Sequence, residues 1–164
     1  MPKKFASTVS LKFLQSHALF GGFKDEELIK FLTFMRQEEY PKGAKIVIEG
    51  DPGDCLFLIV EGSVEILKIV PDAGEGNMER IATLGMGETF GEMSIIDLHT
   101  RSATVRAQED SIVLVLSKKN LSHIWRSHPK IYTLILKNLA REISMRLRNI
   151  DARFAISLFS VKGK

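Results

Sequence analysis

Between Glu39 and Leu116 the sequence falls into short runs of β-branched and aromatic residues cut at close intervals by Gly, Pro and Asp. That punctuation excludes long helices from the middle of the chain and predicts strands at Ala44–Ile48, Leu56–Val60, Ser63–Ile69, Arg80–Leu84, Ser102–Ala107 and Ser111–Leu116. The turns fall at Pro41–Gly43, Gly50–Asp54, Glu61–Gly62 and Gly85–Gly87. Many short strands joined by regular turns imply a β-sandwich or jelly roll. Pro71 to Glu79 is polar and glycine-rich and reads as an exposed connection between strands.

Helical spacing flanks this region on both sides. Val9 to Leu19 suits a short helix stopped by Gly21-Gly22. Asp25, Glu26 and Glu27 then place negative charge in the first turn of another, with Leu28, Ile29, Phe31, Leu32, Phe34 and Met35 as its apolar face. After the strands, Ser117 is placed to cap a helix through Leu121, Ile124 and Trp125, and Pro129 to start the next. Apolar residues then recur at helical spacing from Ile131 to Leu158, a longer stripe than one small sandwich needs. The expected architecture is mixed α and β: a double-stranded β-helix (jelly-roll) sandwich at about residues 39–116, N-terminal helices beside it, and long C-terminal helices over 117–164, all in one domain of 164 residues.

Composition narrows the function classes. At 45% hydrophobic and 26% charged residues the chain has the balance of an ordinary globular domain. Its apolar runs are too short to cross a bilayer, and Met1-Pro2-Lys3-Lys4 precedes no apolar signal core, so a cytoplasmic location is expected. The single cysteine, Cys55, agrees with a reducing compartment and reads as a buried structural thiol. His17, His99, His123 and His128 are scattered without partners at metal-ligand spacing, so no metal is expected. With no Gly-x-Ser-x-Gly elbow and no Walker A loop, nothing points to an enzyme. Residues 117–164 hold eleven Lys and Arg against Glu142 and Asp151 alone, which reads as a solvated helix face; nucleic acid is not expected, because neither a recognition helix nor an aromatic-rich basic face accompanies it.

One stretch carries chemistry. Gly91 permits close backbone approach or a positive φ, and Glu92 beside it can accept two hydrogen bonds from vicinal hydroxyls. Met93 to Leu98, free of Gly and Pro, suits a single helical turn whose first N–H groups lack partners. Arg101 adds a permanent planar charge suited to two phosphate oxygens, with the Ser102 hydroxyl next to it. On the residues alone, a structural Glu92–Arg101 ion pair around a Gly91 turn is the simpler reading.

Phe90-Gly91-Glu92 followed at this spacing by Arg101-Ser102-Ala103-Thr104-Val105 resembles the phosphate-binding cassette of the cyclic nucleotide-binding domain family, the type found in catabolite activator proteins and regulatory subunits of cyclic-AMP-dependent kinases. The likeness extends from about Leu14 to Asp151. It takes in Ala18-Leu19-Phe20 with Asp25 to Leu28, and Gly50-Asp51-Pro52-Gly53-Asp54 followed by Leu56 to Ile59 and Glu61-Gly62. The resemblance implies that Glu92 holds a ribose 2′-hydroxyl and Arg101 a cyclic phosphate, with Gly91, Met93, Ser94 and Ser102 lining the site. It also makes Ile143, Arg146, Leu147 and Ile150 lid candidates on the long helix; core positions without ligand contact are the equal alternative. Thr100 departs from the proline that many members carry before the arginine.

The resemblance implies a non-enzymatic sensor of cyclic AMP, or of cyclic GMP, since Ser102 decides little between them. The C-terminal helix would respond to ligand and signal through a homodimer or a separate effector protein, because this chain ends at Lys164 where relatives continue into effectors. Phe154 to Phe159 is the expected contact surface. The alternative is a scaffold with a vestigial pocket, acting through protein contacts alone.

Overall fold

Two strands set the architecture. The computed structural model describes residues 10–70, 77–97 and 99–162, with side chains as far as residue 156. β3 (Cys55–Glu61) and β8 (Ser111–Ser117) are apolar at nearly every position, the pattern of strands covered on both faces. They pair antiparallel, Cys55 opposite Ser117 and Ile59 opposite Val113. Cys55, Phe57, Ile59, Val113 and Val115 point inward to the core of the sandwich. The alternate residues Leu56, Leu58, Val60, Leu114 and Leu116 point outward into a second core shared with the helices.

The first sheet has the order β1-β8-β3-β6, with β1 at Arg36–Tyr40 and β6 at Thr89–Phe90. The facing sheet runs β2 (Lys45–Val47), β7 (Thr104–Ala107), β4 (Val64–Ile69), β5 (Met78–Leu84), again antiparallel throughout. This is the expected jelly-roll sandwich. Two of its strands escaped the sequence pattern. β1, Arg-Gln-Glu-Glu-Tyr, is a polar edge strand that takes its conformation from pairing along β8. β6 has two residues, too few for any periodicity.

The helices depart from expectation at their ends. α1 covers only Leu11–Gln15, and Ala18–Phe20 forms a separate 3-10 turn because His17 is extended. α2 (Asp25–Leu32) stops before Phe34 and Met35, and Ile29 on it is exposed. Its acidic first turn is as expected, with Glu27 accepting from the Lys24 amide at 3.0 Å. α3 (Glu92–Ile96) is the single turn of the cassette, begun one residue earlier than expected; Leu98 lies outside the described residues, as do Val9 and residues 71–76 of the predicted connection. Ser117 caps α4 (Lys118–Ser127) by accepting from the Asn120 amide at 3.2 Å, and Pro129 opens α5 (Pro129–Lys162).

α5 has two characters. Its first part buries Ile131, Ile135 and Leu139, and Asn138, itself buried, donates to the carbonyls of Leu19 at 2.8 Å and Gly21 at 2.9 Å. Farther on, Met145, Leu147, Ile150, Phe154 and Ile156 are exposed. Ser157, Leu158 and Phe159 of the expected contact surface have no described side chains. Among the described residues no helix is long and apolar enough to cross a membrane.

Candidate functional site: a cleft around Arg101

β6 leads into the site. Phe90 stacks on Phe57 of β3 with ring centroids 4.7 Å apart, fixing where the chain leaves the sheet. Gly91 then turns it through φ 78° into α3. A Cβ at Gly91 would meet Arg101 Nη1 and the Cys55 carbonyl oxygen, each at 2.7 Å, so neither the conformation nor the space admits a side chain.

Arg101 is held from both sides. Its amide donates to Asp51 O at 2.8 Å and its carbonyl accepts from the Gly50 amide at 2.9 Å, tying it to the Gly50–Asp54 turn. Its side chain is 7% exposed; Nη1 donates to Cys55 O at 2.9 Å, and the guanidinium lies 5.5 Å from the centre of the Phe57 ring. Among the described residues no carboxylate lies within ion-pair distance of it. Burial pushes its pKa below the ordinary arginine value, the expected direction for a cation short of compensation. The Glu92–Arg101 ion pair that the residues alone suggested is therefore absent.

Glu92 pairs elsewhere. Its Oε1 accepts from Arg146 Nη1 of α5 at 2.8 Å. Arg146 Nη2 donates to the Thr89 carbonyl and, at 3.3 Å, to Thr89 Oγ1, whose own proton goes to Glu142 Oε2 at 2.7 Å. Burial drives the Glu142 carboxyl pKa up, against the lowering effects of Thr89 and Arg146. The set ties α5 to β6 and α3.

Between these groups and the second sheet lies a cleft of about 390 Å³, the scale of a small-molecule site. Val47, Ile66, Ile81, Leu84 and Val105 give it an apolar wall. Gly91, Glu92, Met93, Ser94, Arg101 and Ser102 all line it. From α5 come Arg146 and Ile150 of the lid candidates, together with Asn149 and Arg153, which share one stripe at three- and four-residue spacing. Ile143 and Leu147 do not line it: Leu147 is one residue round the helix from Arg146, and Ile143 lies nearer its start.

Sequence reasoning placed Gly53 in a turn without a role at the site, and missed Thr89 and Glu142. A Cβ at Gly53 would lie 2.3 Å from Ser94 Oγ and 2.8 Å from Arg101 Nε, so this glycine lets the turn close over the arginine. Thr89 precedes the recognisable motif and carried no signal. Glu142 did carry one, as one of two acidic residues in a basic segment, a helical turn before Arg146. Cys55 is buried as expected and its thiol pKa is raised by burial. Among the described residues no group of three or more His, Cys, Asp or Glu is placed to hold a metal ion.

A family model described as "Cyclic nucleotide-binding domain" matches residues 37–128. The chain is 34% identical to the Cyclic AMP receptor protein of Thermus thermophilus over 89% of its own length and 64% of that protein. It is 32% identical to Glutaminase 1 of Bradyrhizobium diazoefficiens over 87% of its length and 22% of that protein. It thus spans less than two thirds of these curated relatives. Among solved structures, a cyclic nucleotide-binding domain from Methylobacillus flagellatus superposes with a TM-score of 0.79 at 34% identity, covering 87% of this chain and 79% of that one.

Proposed function

Because this chain belongs to the cyclic nucleotide-binding domain family, we propose that its cleft takes a cyclic nucleotide, cyclic AMP in preference to cyclic GMP, and that the protein is a non-catalytic sensor. The observation that carries the reading is Arg101: a buried guanidinium on the cleft wall, positioned by two backbone segments and short of an anion. A cyclic phosphate supplies that anion with two oxygens in the geometry a guanidinium prefers. Glu92 Oε2, which accepts no hydrogen bond among the described residues, suits a ribose hydroxyl, and the apolar wall suits a purine. Cyclic AMP is favoured by the name of the relative aligned over most of this chain.

The output proposed is docking of α5. Ligand that binds one α5 arrangement better than another shifts the population by about tenfold for each ~1.4 kcal/mol of difference. Ile143, Leu147, Ile150 and Phe154 follow the 4-3-4 spacing of a two-helix seam, which supports pairing of α5 with a second copy.

Calorimetric titration with cyclic AMP and cyclic GMP, on the wild type and on Arg101→Ala, tests the reading. Binding is expected to be tighter for cyclic AMP and weakened by about 3 kcal/mol or more in the variant, which leaves phosphate charge buried and unpaired. Heat of binding undiminished in Arg101→Ala would refute the assignment. No heat with either nucleotide in the wild type would leave a scaffold acting through protein contacts.

A further inference from the structure

Arg146 reaches Glu92 and Thr89 at once: Nη1 donates to Glu92 Oε1 at 2.8 Å, while Nη2 donates to the Thr89 carbonyl and, at 3.3 Å, to the Thr89 hydroxyl oxygen, the one group of the set whose proton has a direction to choose. Thr89 is fully buried at the junction of β6 and the cassette, and its hydroxyl has one hydrogen and two lone pairs to place. The hydrogen goes to Glu142 Oε2 at 2.7 Å, which leaves oxygen lone pairs facing Arg146 Nη2 at 3.3 Å. Without an acceptor at residue 142 the hydroxyl is free to rotate its hydrogen toward the guanidinium, where it repels a donor. Glu142 and Arg146 sit one helical turn apart on α5, so the two ends of the Thr89 bond pattern are rigidly spaced.

We propose that Glu142 is a positioning residue for the nucleotide's ribose: by taking the Thr89 hydroxyl proton it orients Thr89 toward Arg146, which in turn holds Glu92 by Oε1 and leaves Oε2 for the 2′-hydroxyl. The inference rests on the nucleotide reading above and goes beyond it in assigning roles to two residues outside the cassette motif. The charged groups around the Glu142 carboxylate are Glu88 and Glu92, which oppose its ionisation, and Arg146, which favours it. Neither Glu142 nor Thr89 lines the cleft, and the side-chain route from them to ligand runs through Arg146 and Glu92.

The discriminating measurement is the ratio of affinities for cyclic AMP and 2′-deoxy cyclic AMP, which differ by the one hydroxyl that Glu92 would hold. In the wild type the ratio is expected to favour cyclic AMP by about tenfold, the worth of one hydrogen bond to a charged group. Glu142→Ala and Thr89→Val should each bring the ratio close to one by weakening cyclic AMP alone. Thr89→Ser, which keeps the hydroxyl, should retain it, and the double variant should lose no more than either single one. Losses that fall equally on both nucleotides, or that add in the double variant, would overturn the relay while leaving nucleotide binding intact. Absence of binding to both by the wild type would instead bring down the nucleotide reading, and the relay with it.

Discussion

At the scale of single residues, two glycines make the Arg101 site possible. Gly91 supplies a left-handed turn in a space already filled by a guanidinium nitrogen and a carbonyl oxygen. Gly53 has no such turn to supply; it is a glycine only because Ser94 and Arg101 pack against its α-carbon. Gly53→Ala should therefore cost about 1–3 kcal/mol of stability and weaken cyclic nucleotide binding, since the methyl group displaces Ser94 or Arg101. Gly85→Ala is the matched control. Nothing lies within 4 Å of a Cβ there, and denaturant unfolding should register a change within about 0.5 kcal/mol. Equal stability losses in the two variants would contradict the packing argument. The cassette residues were legible because Arg101 and Glu92 are rare chemistry at fixed spacing. Their partners were harder to find, since Arg101 donates to a backbone carbonyl of Cys55 and Glu92 pairs with an arginine 54 residues away.

At the scale of elements, the long helix is the least like a buried helix. Ile131, Ile135 and Leu139 lie in the core, while Leu147 is 57% exposed and turned away from the cleft. A second copy of α5 is the proposed cover for that face. Leu147→Asp should then lower the mass seen in analytical ultracentrifugation to that of the monomer, with monomeric affinity for nucleotide unchanged because the residue lines no part of the cleft. A wild type that is already monomeric at all concentrations would defeat this. Strand existence was legible wherever apolar residues alternated or ran together, as in β3, β4 and β8. It failed for β1, whose Arg, Gln and Glu residues form a strand only because β8 offers a free edge, a long-range cause that local pattern does not contain. The helix ends failed for a related reason. A turn at His17 and a stop after Leu32 are imposed by packing of Phe20, Phe31 and Met35 in one core.

At the scale of the whole molecule, the folding equilibrium should carry the mark of Glu142. Its folded pKa is raised, chiefly by burial, so the fold prefers the protonated carboxyl. The stability this contributes is present below the ordinary glutamate range and is lost as pH rises through the folded pKa. Glu142→Gln, which cannot ionise, should therefore gain in melting temperature relative to the wild type as pH is raised across that window, and match it more closely at acid pH. A melting difference that stays constant across the same range would show that Glu142 titrates as freely in the native protein as in the unfolded chain. Carrying a costly carboxylate at this position makes sense if Thr89 and Arg146 require it.

Asn138 bears on how far a displacement at the cleft carries along α5. Its two hydrogen bonds clamp α5 to the turn after the first helix, while the helix runs on to Lys162. From the clamp to Lys162 the helix measures roughly 36 Å at 1.5 Å per residue, and a tilt of about 10° about Asn138 carries Lys162 about 6 Å. Arg146 engages this beam about a third of the way along, roughly 12 Å from the fulcrum. A displacement there of about 2 Å, the size of a hydrogen bond made or broken, is thus multiplied about threefold at the far end by rigid geometry alone.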